Sequence, residues 1–193
     1  RREDEIKALS RETLEKYKEI NLLYIISTKM AKCLEPRDIA ELVLSEAEKF
    51  IISTSSSLML FNEKTGFLEI IAAHGQDLPE KCEFKYGEGI AGNVFSSGHG
   101  DIFSDVQVSP WFVNSQNKIS SLICVPLTVE DRTIGVINIS SEKQVSYSAE
   151  DYKLAAALAS QAAVSIENSR LHARQTEQKK IEHELEIARN IQR

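Results

Sequence analysis

Cysteine is scarce in this chain: Cys33, Cys82 and Cys124 are the only three in 193 residues. An odd, widely spaced set excludes a disulfide framework, and no Cys-x-x-Cys pair offers the spacing of a zinc site. Sparse free thiols suit a reducing compartment, so the expected location is the cytoplasm. Long apolar runs are missing too, and nothing approaches the ~20 residues of a membrane-spanning helix. There is no excess of basic residues. The net charge is −6 and the pI about 5.4, which argues against a protein that grips phosphate backbones. The chain opens on Arg1-Arg2-Glu3-Asp4, without methionine or an apolar leader, and is expected to be part of a longer protein.

What is present is ordinary for a soluble globular protein: 42% hydrophobic and 27% charged residues. The length suits one domain with attachments, and a core of that size needs no staple. All eight glycines and all four prolines fall between Pro36 and Gly135. The two ends are therefore read as helical and the middle as a compact core.

Residues 1–35 are rich in Glu, Lys, Arg, Leu and Ile and read as one long helix. A heptad frame puts Ile6, Thr13, Ile20 and Ser27 in one column and Leu9, Lys16, Leu23 and Met30 in the other. Leu9, Ile20, Leu23 and Met30 are the expected contacts with a second copy. Pro36 closes the zone. Asp38 then opens a new helix, with Glu41 at capping-box spacing and an apolar face of Ile39, Leu42, Val43, Ala47, Phe50 and Ile51.

From residue 53 to 140 serine, glycine and β-branched residues increase. A strand around Leu58 and Leu60, the turn Asn62-Glu63-Lys64-Thr65-Gly66 and a return strand from Phe67 to Ala73 make a hairpin. Short strands are expected at Cys82–Lys85 and Asp101–Ser104, and a helix start at Ser109-Pro110. Ser121–Val129 and Thr133–Ser140 form a second hairpin around Glu130-Asp131-Arg132. Ser148 caps the last helix, with Asp151 at the reciprocal position. Nothing breaks this helix over the 46 residues to Arg193, about 68 Å if helical throughout. Residues 171–193 read as a coiled-coil linker, with Leu171, Ile181, Leu185 and Ala188 as its expected dimer contacts.

Few motifs carry chemistry. Gly87-x-Gly89-x-x-Gly92 matches a dinucleotide fingerprint in letters only. The preceding strand is short and polar and the following helix ends at Gly98-His99-Gly100, so a tight turn aiming a short helix across a sheet is the better reading. His74, His99, His172 and His183 cluster neither together nor with cysteine, and no metal site is expected. Glu130-Asp131 and Glu150-Asp151 serve a turn and a helix cap. No catalytic residues are assigned. Aromatic residues in the middle loops suit either a small-molecule pocket or a second core.

The ordered set of features over residues 36–170 resembles a GAF domain. It comprises the helix after Pro36, the hairpin through Gly66, the Gly87–Gly92 turn and Asp101-Ile102-Phe103-Ser104-Asp105-Val106. It continues with Ser121-Leu122-Ile123-Cys124-Val125-Pro126-Leu127, Gly135-Val136-Ile137-Asn138-Ile139, and Tyr147-Ser148-Ala149-Glu150-Asp151 before the alanine-rich helix. The resemblance implies an α+β fold: a six-stranded antiparallel sheet with helices on both faces, flanked here by long terminal coiled-coil helices. It also implies dimerisation through the first and last helices and a face opposite them that in different relatives holds cyclic nucleotides, tetrapyrroles, other small molecules or nothing. Phe103, Trp111, Cys124 and Asn138 are the candidate ligand contacts.

The chain departs from the cyclic-nucleotide type, with Ser141-Glu142, Tyr147 and Asp151-Tyr152 where that type has Asn-Lys, Phe and Asp-Glu. It also lacks the Cys-His of bilin-attaching relatives, and its cysteines give no clear match to free-methionine-sulfoxide reductases. Residues 184–193 resemble the linker before metal-dependent serine/threonine phosphatase domains of bacterial partner-switching systems. The expected role is thus a dimeric sensory module with no cofactor of its own. It would govern a phosphatase domain beyond residue 193 that uses Mn or Mg on a phosphoprotein. The alternatives are a histidine kinase or nucleotide cyclase as output, or a stand-alone enzyme of the methionine-sulfoxide type.

Overall fold

A computed structural model describes residues 13, 20, 21, 23–75, 83–85, 87–111 and 119–191. Its centre is one antiparallel sheet in the order β3-β2-β1-β6-β5-β4. The four inner strands are β1 (Ser55–Asn62), β2 (Phe67–Gly75), β5 (Ser121–Val129) and β6 (Arg132–Ser141). Two three-residue strands, β3 (Glu83–Lys85) and β4 (Asp101–Phe103), close the edges. The antiparallel pairing excludes the parallel strand–crossover unit that a dinucleotide site requires.

One face carries three helices: α1 (residues 23–30), α2 (Pro36–Ala47) and α4 (Ala149–Ile191). The other carries α3 (Gly89–Ser97). On the three-helix side Ile39, Val43 and Leu44 of α2 and Leu158, Ala159, Ala162 and Ile166 of α4 share a core with Leu58, Ile123, Val125 and Ile137 of the sheet. The alanines of α4 let it lie close to the layer beneath. Its start is a complete capping box, in which the Ser148 amide donates to Asp151 Oδ2 at 2.8 Å and the Asp151 amide to Ser148 Oγ at 3.1 Å.

The entry to α2 differs from expectation. Pro36, not Asp38, opens the helix, with Glu35 before it and no side-chain cap. Pro36 has the right φ for a first helical position, where no N–H is needed, so the proline begins the element. Helix α1 correspondingly ends at residue 30, short of the 35 expected.

Helix α1 runs parallel to the first half of α4. Ser27 Oγ donates to Gln161 Oε1 at 2.7 Å, Ser165 Oγ approaches Met30 Sδ, and Ser169 Oγ donates to the Leu34 carbonyl. The heptad assignment of Met30 is corrected by this packing: Met30 and Ile26 are fully buried within one chain. Leu23 is half-buried and Ile20 is exposed, while Leu9 lies outside the described residues. Lys29 donates to Glu46 Oε1 and Lys49 pairs with Glu46 Oε2, both at 2.9 Å. The hydrogen bond from Lys29, then that from Lys49, holds this buried carboxyl below its ordinary range.

Candidate functional site

Opposite the three-helix layer the sheet has two halves. One half is apolar and covered by α3. Ile90, Ala91, Val94 and Phe95 pack on Met59, Leu68 and Val136, and Phe95 stacks on Phe61 with ring centroids 4.8 Å apart. The helix is aimed by the turn before it. Gly87 and Gly89 adopt positive φ, the Gly87 amide donates to the Gly92 carbonyl, and a Cβ on Gly92 would fall 2.6 Å from the Lys85 carbonyl oxygen.

The other half is polar at its centre. Register pairs Ser57 with Asn138 and Asn138 with Cys124, so β1, β6 and β5 contribute one row. Asn138 Nδ2 donates to Ser57 Oγ at 3.4 Å and lies 3.6 Å from Met59 Sδ. Its Oδ1 is buried and accepts no hydrogen bond. In the next row Ser55 and Ser140 hydroxyls meet at 2.7 Å. Phe103 stands opposite Leu122, partly buried at the edge of the same surface.

The structure therefore brings Cys124 and Asn138 together, with Phe103 one row away. Trp111 does not join them: it sits in a turn after a single 3₁₀ turn (Val106–Val108) and is 43% exposed. The helix expected from Ser109-Pro110 begins as that turn, and residues 112–118 lie outside the described residues. Ser57, Met59 and Ser140 were not singled out from sequence. Ser140 is two residues from Asn138 on β6, but only the pairing of β1 with β6, about 80 positions apart, sets Ser57 and Met59 beside Asn138, and a serine-rich strand start carries no signal of it.

This surface offers hydrogen-bonding groups rather than a reactive nucleophile among the described residues. Cys124 is fully buried, and burial pushes its thiol far above the ordinary range, so it holds its proton and is no nucleophile. Cys33 is partly buried on the helical face, and burial, then Asp38, raises it as well. Among the described residues no three His, Cys, Asp or Glu side chains gather as a metal site, and no helix is long and apolar enough to cross a membrane.

A family model described as "GAF domain" matches residues 33–167. Among solved structures, the GAF domain of a phosphoenolpyruvate-protein phosphotransferase from Coxiella burnetii superposes with a TM-score of 0.73 at 17% identity, over 80% of this chain and 96% of that one. A free methionine-R-sulfoxide reductase from Neisseria meningitidis, solved with its substrate, gives 0.69 at 22% identity over 80% and 91%. A methyl-accepting chemotaxis protein fragment gives 0.66 at 18% identity over 76% and 97%. Identities this low speak for the fold alone. No curated protein sequence matches the chain.

Proposed function

Since the chain belongs to the GAF domain family, we propose that it is a regulatory module of a bacterial signalling protein, dimeric through its helices and coupled to an output domain beyond residue 193. The observation that carries this reading is α4. It is one unbroken helix of 43 residues, built into the core as far as Ile166 and Ser169 and exposed from Leu171 to Ile187. A helix that belongs to the core at one end and stands clear at the other is a mechanical link. The parallel course of α1 adds an input helix on the same face.

The exposed part of α4 carries Leu171, Ile181 and Leu185, 44%, 48% and 55% exposed. Leu171 and Leu185 are two heptads apart, with Ile181 four residues before Leu185, which is the seam of a two-stranded coiled coil. The side chain of Ala188 lies outside the described residues. Light scattering of the 193-residue chain at micromolar concentration is expected to give about twice 21.7 kDa. Substituting both Ile181→Glu and Leu185→Glu is expected to give the monomer mass. A monomer for the parent chain overturns the dimer.

The output is read from residues 184–193, whose likeness to phosphatase linkers supports a protein serine/threonine phosphatase using Mn or Mg, in the cytoplasm. The reductase reading draws on the likeness to the Neisseria enzyme. Sulfoxide reduction needs an accessible thiolate, and of the two cysteines among the described residues Cys124 is fully buried and Cys33 is partly buried with its thiol raised. Turnover of free methionine-R-sulfoxide by this chain would restore the reductase reading.

The input is a small molecule on the Ser57–Asn138–Cys124 row. Asn138 Oδ1 is a buried acceptor awaiting a donor, and leaving such a group unpaired costs about 1–3 kcal/mol. Asn138→Leu keeps the branched shape and removes the acceptor. The variant alone is expected to melt no lower than the parent. The parent should gain melting temperature with one member of a metabolite panel, and the variant should gain none. Equal shifts in both proteins would remove Asn138 from the site.

A further inference from the structure

On the helical face, His74 near the end of β2 is held on both ring nitrogens. Nε2 lies 2.7 Å from Glu41 Oε2 and Nδ1 lies 3.1 Å from Glu48 Oε1, both carboxylates belonging to α2. Ser56 of β1, directly opposite His74 in register, donates to the same Glu48 oxygen at 2.7 Å. A carboxylate only accepts, so each of these ring contacts requires an N–H. Neutral imidazole has one N–H and imidazolium has two. The geometry is therefore that of the charged ring, and loss of one proton sets a lone pair against a carboxylate oxygen at one of the two contacts.

Among the described residues, the elements packed on this part of β2 are α2 and β1. Helix α2 presents Glu41 and Glu48, and β1 presents the uncharged Ser56. Glu46, the third carboxylate of this stretch, is occupied by Lys29 and Lys49. Among the described residues, no cation other than His74 is paired with Glu41 or Glu48.

We propose that His74 is a proton-dependent latch, fastening α2 to the β1–β2 side of the sheet when doubly protonated and releasing it when neutral. Helix α2 packs on β1 and β2 and against α4 within the three-helix layer, so the latch sets how firmly the layer is held. The latch is separate from the ligand face, which lies on the other side of the sheet. Partial burial lowers the affinity of His74 for its proton, but the hydrogen bonds to Glu41 and Glu48 outweigh it and raise the net value above 6.5. A raised histidine stabilises the fold fully below its unfolded value, and this stabilisation is lost as pH rises through the folded one.

The test uses the 193-residue chain with nitrogen-15-labelled histidine, titrated from acid to alkaline pH by NMR. His74 is expected to show two ring N–H groups at low pH and a midpoint above 6.5. Across that midpoint, hydrogen-exchange protection of the α2 amides, corrected for intrinsic rate, should fall several-fold. Relative to His74→Gln, the folding equilibrium constant should decline with rising pH, by at most about tenfold per unit. Glu41→Gln and Glu48→Gln should each lower the midpoint, which keeps the test available should His74→Gln not fold. A midpoint at or below 6.5, or α2 protection that is flat through it, overturns the latch while leaving the dimeric regulatory reading untouched.

Discussion

Replacing Gly135 with alanine is expected to lower the melting temperature of this chain by roughly 10 °C. Gly135 sits in β6 between Leu60 on β1 and Leu127 on β5. A Cβ there would fall on the Met59 carbonyl oxygen and meet Leu60 Cδ2 at 2.9 Å and Leu127 Cδ1 at 3.0 Å. The two leucine methyls could give way. The carbonyl belongs to a strand paired on both sides, so relieving the clash would part β1 from β6. Overpacking of this kind costs about 3 kcal/mol. At 2–4 °C per kcal/mol for a chain of this size, the shift is roughly 10 °C. Gly66→Ala is the control: it adopts positive φ in the β1–β2 turn, but its Cβ would meet nothing within 4 Å. That variant should lose only the ~1 kcal/mol of left-handed strain. Calorimetric melts of both variants decide the matter. A Gly135→Ala melt within about 3 °C of the parent would mean that the central strands yield as a unit.

In the protein carrying its output domain, two residues inserted in α4 between Thr176 and Glu177 are expected to fix the output on or off. Every residue of this region is exposed, so the insertion leaves the GAF core intact. Two residues turn everything beyond them by about 200° and move Ile181 and Leu185 off the line set by Leu171. Seven residues turn it by only about 20° short of two full turns and restore the seam. The seam is weak by composition, with Gln178 and Gln192 in core columns and Arg174 between Leu171 and Gln178. Polar seam residues lower stability and bring two packings close in energy, which a switch requires. We expect the two-residue insertion to change the basal activity of the output at least about fivefold and to abolish its regulation, while the seven-residue insertion keeps both. If both insertions behave like the parent, α4 is a tether.

Local signals carried much of the architecture. Ser148 and Asp151 stand three residues apart in sequence and cap each other in space, because a capping box is closed within one turn of helix. The two hairpins, the Gly87–Gly92 turn and the unbroken last helix were legible for the same reason: their causes lie within a few residues of each other. Pro36 shows the limit. Proline both ends one helix and begins the next, and the sequence spacing favoured Asp38 as the start, whereas the chain uses Pro36.

By itself, then, the sequence determined most of the order of elements, the family and the long uninterrupted α4. Each of these depends on short-range spacing or on composition. Tertiary structure alone decided which residues share a surface. It buried Met30 within its own chain, although heptad spacing is the same whether a helix faces a partner or its own core. It set Ser57 beside Asn138 and Cys124 by pairing β1, β6 and β5, and it left Trp111 exposed. It brought His74 between two carboxylates 33 and 26 positions away. Such contacts depend on strand register and helix rotation, and these are set by how the whole core fills its volume.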